Sequence, residues 1–299
     1  MARTSEIPTS EPGSVPTMGR GVQLLLLALG AVVLIGAPFV VYPVFAMTML
    51  CFALFAAAFN LLLGYTGLLS FGHAAFFGGA AYFTAHAAKV WGWNPEFALA
   101  QMFFFFCLQV PFTHGEDGIQ AVPRGHLFGF IDLNDTMTMY FFVLAVFVLG
   151  LLLIWRFVNS PFGMILKAIR ENENRAVSLG YATAQYKLGA FVMSAALAGM
   201  AGGLKALVMQ FATLTDVDWH MSGQVVLMTL IGGIGTLLGP VLGAGIVIAL
   251  QNLLATSAFP VTIITGLVFM VCVMLFRRGL IGELAHSRLG RALGLRPPG

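Results

Sequence analysis

The sequence predicts an all-α fold: a polytopic membrane bundle with a glycine-broken helix in each half. Three observations predict it. Hydrophobic residues make up 59% of the 299, and Asp, Glu, Lys and Arg together only 9%; ordinary soluble domains are about 45–50% apolar and about 25% charged. Several stretches exceed the roughly 18 apolar residues that mark a spanning helix. Glycine, with 35 residues, is abundant in a chain that otherwise reads as helical. In lipid, small residues let helices approach closely, and helix breaks are tolerated where protein covers the backbone. No polar segment of soluble-domain size interrupts the pattern, so one helical domain is expected.

In chain order, residues 1–20 are polar and hold Pro8, Pro12 and Pro16, which reads as a disordered cytoplasmic tail. This tail delays the first apolar run too long for a signal peptide, so that run is read as a retained anchor. Apolar runs follow at Val22–Val41, Tyr42–Leu63, Leu68–Val90, Phe97–Phe112, Thr136–Val158, Leu188–Phe211, Val225–Leu254 and Phe259–Phe276. They define a transmembrane domain over 21–278, with a polar loop at 160–187 and a basic cytoplasmic tail at 279–299. Positive charge favours the cytoplasm. The tail's Arg288, Arg291 and Arg296, just after Arg277 and Arg278, and the cations of the 160–187 loop place both inside. The loop between Phe112 and Thr136 carries Glu116, Asp117, Asp132 and Asp135 against Arg124, and is expected outside. With an inside N-terminus these assignments conflict in parity, so one run in each half must fail to cross simply.

The polar stretch Ser160–Lys187 has a definite layout. Ser160 can cap a helix and Pro161 suits its first position. Phe162, Ile165, Leu166 and Ile169 recur at helical spacing, opposite Lys167, Arg170, Glu171 and Glu173, and Gly180 is a natural stop. This is a short amphipathic helix outside the bilayer, whose apolar face wants a partner. A plain connecting loop is the alternative; the capped layout favours docking. Phe162, Ile165, Ile169, Arg170, Glu171, Glu173, Ala176 and Gly180 are the candidate docking residues.

The two runs that fail to cross are expected to be the two richest in glycine. The first passes through Gly64, Gly67 and Gly72; the second through Gly232, Gly233, Gly235 and Gly239. Glycine- and proline-interrupted apolar segments at corresponding places in two halves point to a substrate path near the midplane. Close helix packing is the other reading. Asn60, Thr66, Ser70 and His73 could supply polar groups to the path, with His73 either a pore group or a neutral ring satisfying loose backbone. Gly115–Gly118, with Glu116 and Asp117 between, is a turn, a partner-docking segment or, less favoured, a cation site; no metal is expected. Cys51, Cys107 and Cys272 each lie in an apolar run, odd in number and without a CxxC, which suits buried small hydrophobes.

No GxxxxGK[ST], HExxH or GxSxG occurs. The chain is therefore read as neither a nucleotide-binding protein nor a hydrolase, without catalytic residues or cofactor, and any ATP-driven step needs another subunit. An ion-coupled secondary transporter of small organic solutes is the principal rival, since broken helices suit it equally. An intramembrane enzyme built on His73 ranks last, because the apolar runs offer no Asp or Glu to pair with it.

Several segments carry a resemblance to a known family. Asn60–Tyr82, NLLLGYTGLLSFGHAAFFGGAAY, resembles the signature of branched-chain amino acid ABC importer permeases. SPFGMILKAIRENENRAVSLG and the following YKLGAFVMSAALAGMAGGL resemble that family's cytoplasmic coupling loop and the helix after it, and LIGGIGTLLGPVLGAGI its third signature. THGEDGIQAVPR is similar to an external loop of the second of the two permease subunits. The resemblance implies a multi-pass protein of a bacterial inner membrane, paired with a second, homologous permease. It also implies two cytoplasmic ATPases docked on the coupling loops, and a periplasmic binding protein that delivers a branched-chain or related hydrophobic amino acid, or a small amide or acid. No nucleic acid is implied. In the wider importer pattern the loop carries Glu-Ala-Ala and, four residues on, Gly. Here Ala176 and Gly180 fit, Asn174 and Arg175 stand where Glu and Ala are usual, and Glu173 lies one place early. Between Trp91 and Phe97 the chain reads as shortened by about one spanning helix, on the order of 20 residues.

Overall fold

A computed structural model describes residues 30, 32–70, 72–89, 119–124, 126–127, 131–216, 219–254, 266 and 270. Both tails, the 91–97 segment, the acidic turn at 115–118, the run Phe97–Phe112 and nearly all of Phe259–Phe276 lie outside the described residues, and with them Cys107 and Cys272. Residues 32–40 are helical. The first complete helix is α1 (Pro43–Thr66), followed by α2 (His73–Lys89), α3 (Thr136–Val158), α4 (Pro161–Glu171), α5 (Glu173–Ser178), α6 (Thr183–Met209), α7 (Trp219–Gly232) and α8 (Gly239–Leu254). Helices α1, α3 and α6, of 24, 23 and 27 residues, are long and apolar enough to cross a membrane. The protein is an all-α, multi-pass membrane bundle.

α1 is the axis. Pro43 opens it and Gly67, at φ 74°, closes it in the left-handed conformation, its N–H reaching the Leu63 carbonyl at 3.2 Å. Its sequence is apolar on every side, as suits a helix surrounded by others: Leu54, Phe55, Phe59 and Leu61 are fully buried. α3 is two-faced instead. Met139, Tyr140, Val143 and Phe147 turn inward, while Val148, Leu149, Leu152, Leu153 and Trp155 are exposed. An exposed face of that composition suits hydrocarbon.

The α2–α6 contact depends on small residues. At Gly202 the nearest neighbour is the Phe77 carbonyl of α2, so close that no Cβ fits, and Ala80 faces Gly199 in the same way at a looser 3.5 Å. With Ala198 and Ala201 on the same stripe, the two backbones meet directly, the usual solution where lipid removes the hydrophobic drive between helices.

The polar loop after residue 118 contributes short strands. β1 (Ile119–Gln120) pairs antiparallel with β4 (Phe211–Ala212), and β2 (His126–Leu127) with β3 (Ile131–Asp132). Their purpose is local. Arg124 donates from Nε and Nη2 to the carbonyls of Leu207 and Val208 at 3.3 and 2.9 Å, filling the orphan acceptors at the end of α6. Lys89 donates to the Gln120 carbonyl at 2.7 Å, which holds β1 to the end of α2.

One buried charge pair lies at this end of the bundle. Lys205 in α6 meets both carboxylate oxygens of Asp216 at 2.6 Å, their side chains only 7% and 3% exposed. Lys205 Nζ also stands over the Phe211 ring, 5.3 Å from its centre. Asp216 comes from the 3-10 turn Leu214–Asp216 that follows α6. A pair this dry tolerates loss of both members better than loss of one. Lys205→Met should therefore destabilise the chain by about 3–5 kcal/mol, while Lys205→Met combined with Asp216→Leu should recover most of that. Thermal unfolding in detergent reads the difference.

Candidate functional site

The 160–187 loop is built as two helices rather than one. Ser160 caps α4 as expected, its Oγ accepting from Gly163 N–H at 3.3 Å. α4 does not run on to Gly180. Asn172, in extended conformation at φ −156°, ends α4 and caps α5, its Oδ1 accepting from Arg175 N–H at 3.0 Å. Gly180 still closes the stretch, at φ 89°. Glu173 and Lys187 pair at 2.5 Å and strap α5 to the start of α6. The bond from Lys187 holds the Glu173 carboxyl below its ordinary range.

Part of the apolar face of α4 packs inside the chain. Leu166 and Ile169 are buried against the bundle, and Ala176 of α5 with them. Phe162 lies between Phe157 of α3 and Tyr186 of α6, ring centres 4.9 Å from each. What the loop offers outward is a different set. A groove of about 330 Å³ is lined by Ala168, Glu171, Asn172, Arg175, Ala176, Leu179 and Tyr181. Leu179 is 70% exposed, and Met164, Val177 and Tyr181 are exposed as well. Of the expected docking residues, Glu171 and Ala176 line the groove, Glu173 and Gly180 flank it on the exposed surface, and Phe162 and Ile169 face the bundle. Ile165 is half-buried. Leu179 and Tyr181 were not foreseen; they flank the expected helix stop at Gly180, beyond the apolar spacing read from Phe162 to Ile169.

The two glycine breaks meet. α1 ends at Thr66, beside a second break at 233–238 between α7 and α8. Asn60, on the last turns of α1, grips that break with both ends of its amide. Nδ2 donates to the Thr236 carbonyl at 2.8 Å and Oδ1 accepts from Gly235 N–H at 2.9 Å. One turn later Gly64 lies against Gly235 so tightly that a Cβ would stand 2.7 Å from the Gly235 nitrogen. Gly235 itself has φ 79°, which favours glycine. Thr236 then caps α8, accepting from Gly239 N–H at 3.1 Å. Arg170 of α4 reaches this junction and donates from Nη1 to the Gly64 carbonyl.

Of the other expected path residues, some sit at the two breaks and others lie apart from them. The Thr66 hydroxyl donates back to the Leu62 carbonyl. Gly67 and Gly72 are exposed and Ser70 half-buried, on the connection between α1 and α2. His73 is fully buried deeper in the bundle, Nε2 at 2.8 Å from Ser194 Oγ, which donates to the Ala58 carbonyl at 2.5 Å. Ser194 lies eleven residues into α6, about 16 Å along that helix, so α2 begins well inside the bundle. Its first free N–H, at Ala74, is satisfied by Ser222 Oγ of α7 at 3.0 Å. Gly232, Gly233 and Gly239 are buried at the second break. Among the described residues no group of three or more His, Cys, Asp or Glu could hold a metal.

The model of the family described as branched-chain amino acid transport system / permease component matches residues 97–277. The chain is 29% identical over 193 residues to the high-affinity branched-chain amino acid transport system permease protein LivM of Salmonella typhimurium, which covers 56% of this chain and 45% of that one. It is 30% identical over 149 residues to a probable branched-chain amino acid transport permease protein LivM of Methanocaldococcus jannaschii, over 49% and 39% of the two chains. It is also 27% identical over 196 residues to the ribose import permease protein RbsC of Bacillus subtilis, over 60% and 58%. The chain spans about half the length of the curated relatives it matches. No solved structure matches.

Asn60 supplies the two hydrogen bonds that hold the junction. Asn60→Ala leaves Gly235 N–H and the Thr236 carbonyl without a partner, at about 1–3 kcal/mol for each buried group. The variant should unfold at lower temperature and be cut by protease at 233–238 faster than the parent chain. A Leu69→Ala change on the exposed connection should do neither.

Proposed function

Since the chain belongs to the family of branched-chain amino acid transport system permease components, we propose that it is the membrane subunit of an ATP-driven importer. Its cargo is a branched-chain or related hydrophobic amino acid, or a small amide or acid of that size. The likeness to the two LivM proteins supports the amino acid class. The partners are a second, homologous permease, two ATPase subunits on the side of the 160–187 loop, and a binding protein on the opposite side. The loop and the C-terminal tail face the cytoplasm of a bacterial inner membrane. Residues 21–278 form the permease domain, 1–20 and 279–299 its tails.

One observation carries this reading: the α4–α5 groove. Leu179 and Tyr181 give it apolar surface, and Glu171, Asn172 and Arg175 add polar and charged groups to the lining. An apolar patch rimmed by charge, outside the hydrocarbon, is a protein-docking surface. Since part of the apolar face of α4 is already committed to the bundle, a motor subunit seated in the groove would move α4 as part of the bundle. The two glycine breaks, joined at Asn60, are where such a movement would open and close a path. The chain itself performs no covalent chemistry in this scheme; hydrolysis belongs to the ATPases.

The test is crosslinking in membranes that carry the whole complex. A thiol introduced by Glu171→Cys or Leu179→Cys should be trapped by the ATPase subunit, and one introduced by Leu152→Cys, on the lipid-facing side of α3, should not. Uptake into proteoliposomes should require ATP inside the ATPase-facing compartment. A groove that captures no ATPase, or uptake that persists on an ion gradient after ATP is removed, overturns the proposal.

A further inference from the structure

We infer that Arg170 is the positioning residue through which α4 controls both glycine breaks, an inference that rests on the importer reading above. Four contacts carry it. Arg170 Nη1 donates to the Gly64 carbonyl, one of the acceptors that the end of α1 leaves free. The same nitrogen stands 3.3 Å from where a Cβ of Gly235 would be, so it borders the second break as well. The Arg170 stem passes 3.5 Å from the corresponding position on Gly67, where the first break begins. Four residues before Gly64 on α1, Asn60 holds Gly235 and Thr236. A displacement of α4 is therefore delivered by one side chain to the end of α1, and by Asn60 to the turn between α7 and α8.

Arg170 is not what anchors α4. Leu166 and Ile169 are 0% and 2% exposed, and the Ser160 cap is independent of it. Removing the guanidinium should leave the loop seated and cut only the link. The glycines explain why an arginine fits: without side chains at Gly64, Gly67 and Gly235, the planar fork can lie against bare backbone. Lysine offers a single, compact charge in its place and would hold the carbonyl without bordering the second break.

The experiment has two arms. In the first, the full chain in open membrane fragments carries Thr66→Cys, at the first break, with Cys107→Ala and Cys272→Ala, and is treated with a water-soluble maleimide. Thr66 is 4% exposed and the native Cys51 is fully buried, so both start protected. Arg170→Ala should raise labelling at position 66 at least tenfold while Cys51 stays protected, and Arg170→Lys should give an intermediate value. In the second arm, the reconstituted importer should consume at least tenfold more ATP per molecule transported with Arg170→Ala, and less than that with Arg170→Lys. Unchanged labelling at position 66 overturns the inference, because the link then does nothing. Simultaneous exposure of Cys51 also overturns it, because Arg170 is then only a fold contact. If the unaltered chain captures no ATPase, the importer reading fails, and the labelling arm still decides the role of Arg170.

Discussion

A helix broken inside a membrane leaves backbone groups that lipid cannot satisfy. In this protein that constraint is met largely by one amide. Asn60 accepts from Gly235 and donates to Thr236, and so lets α7 and α8 part company within the bundle. Much of the arrangement around it follows. Gly64 must be bare for α1 to approach Gly235. Thr236, fixed by Asn60, is then placed to cap α8. The end of α1 is held where its free carbonyl can be met from outside the bundle by Arg170.

The same constraint acts at the start of α2. A helix that begins deep in the protein exposes its first N–H groups, and two serines from other helices are recruited: Ser222 for the backbone and Ser194 for the His73 ring. His73 is thus held in place through Nε2 by Ser194, with the rings of Phe55, Phe59, Phe76 and Phe191 around it. Packing does the rest. Where two backbones touch, at Gly202 against Phe77 and at Gly64 against Gly235, close approach replaces the hydrophobic drive that a soluble core would use.

Much of this was legible in the sequence. Apolar run lengths gave α1, α3 and α6, because a spanning helix must be long and uniformly apolar. The glycine clusters gave both breaks, because few other residues tolerate those backbone positions. What the sequence could not give was pairing between distant segments. Asn60 read as a polar group for a path; its partners lie 175 and 176 residues away. Lys205 was hidden inside the run Leu188–Phe211, its counter-charge sitting in the turn beyond. The split at Asn172 was hidden because asparagine in a polar stretch carries no local sign of capping two helices at once. The apolar stripe of α4 was visible, but spacing alone does not say whether such a stripe meets its own bundle or another subunit.

The Lys205–Asp216 pair also bears on how the chain is made. Lysine leaves the ribosome eleven residues ahead of the aspartate that neutralises it. During that interval the last third of α6 carries an uncompensated charge that hydrocarbon rejects, so α6 cannot reach its final depth as an independent unit. Seating this helix and folding the turn after Met209 are thus coupled through one charge pair.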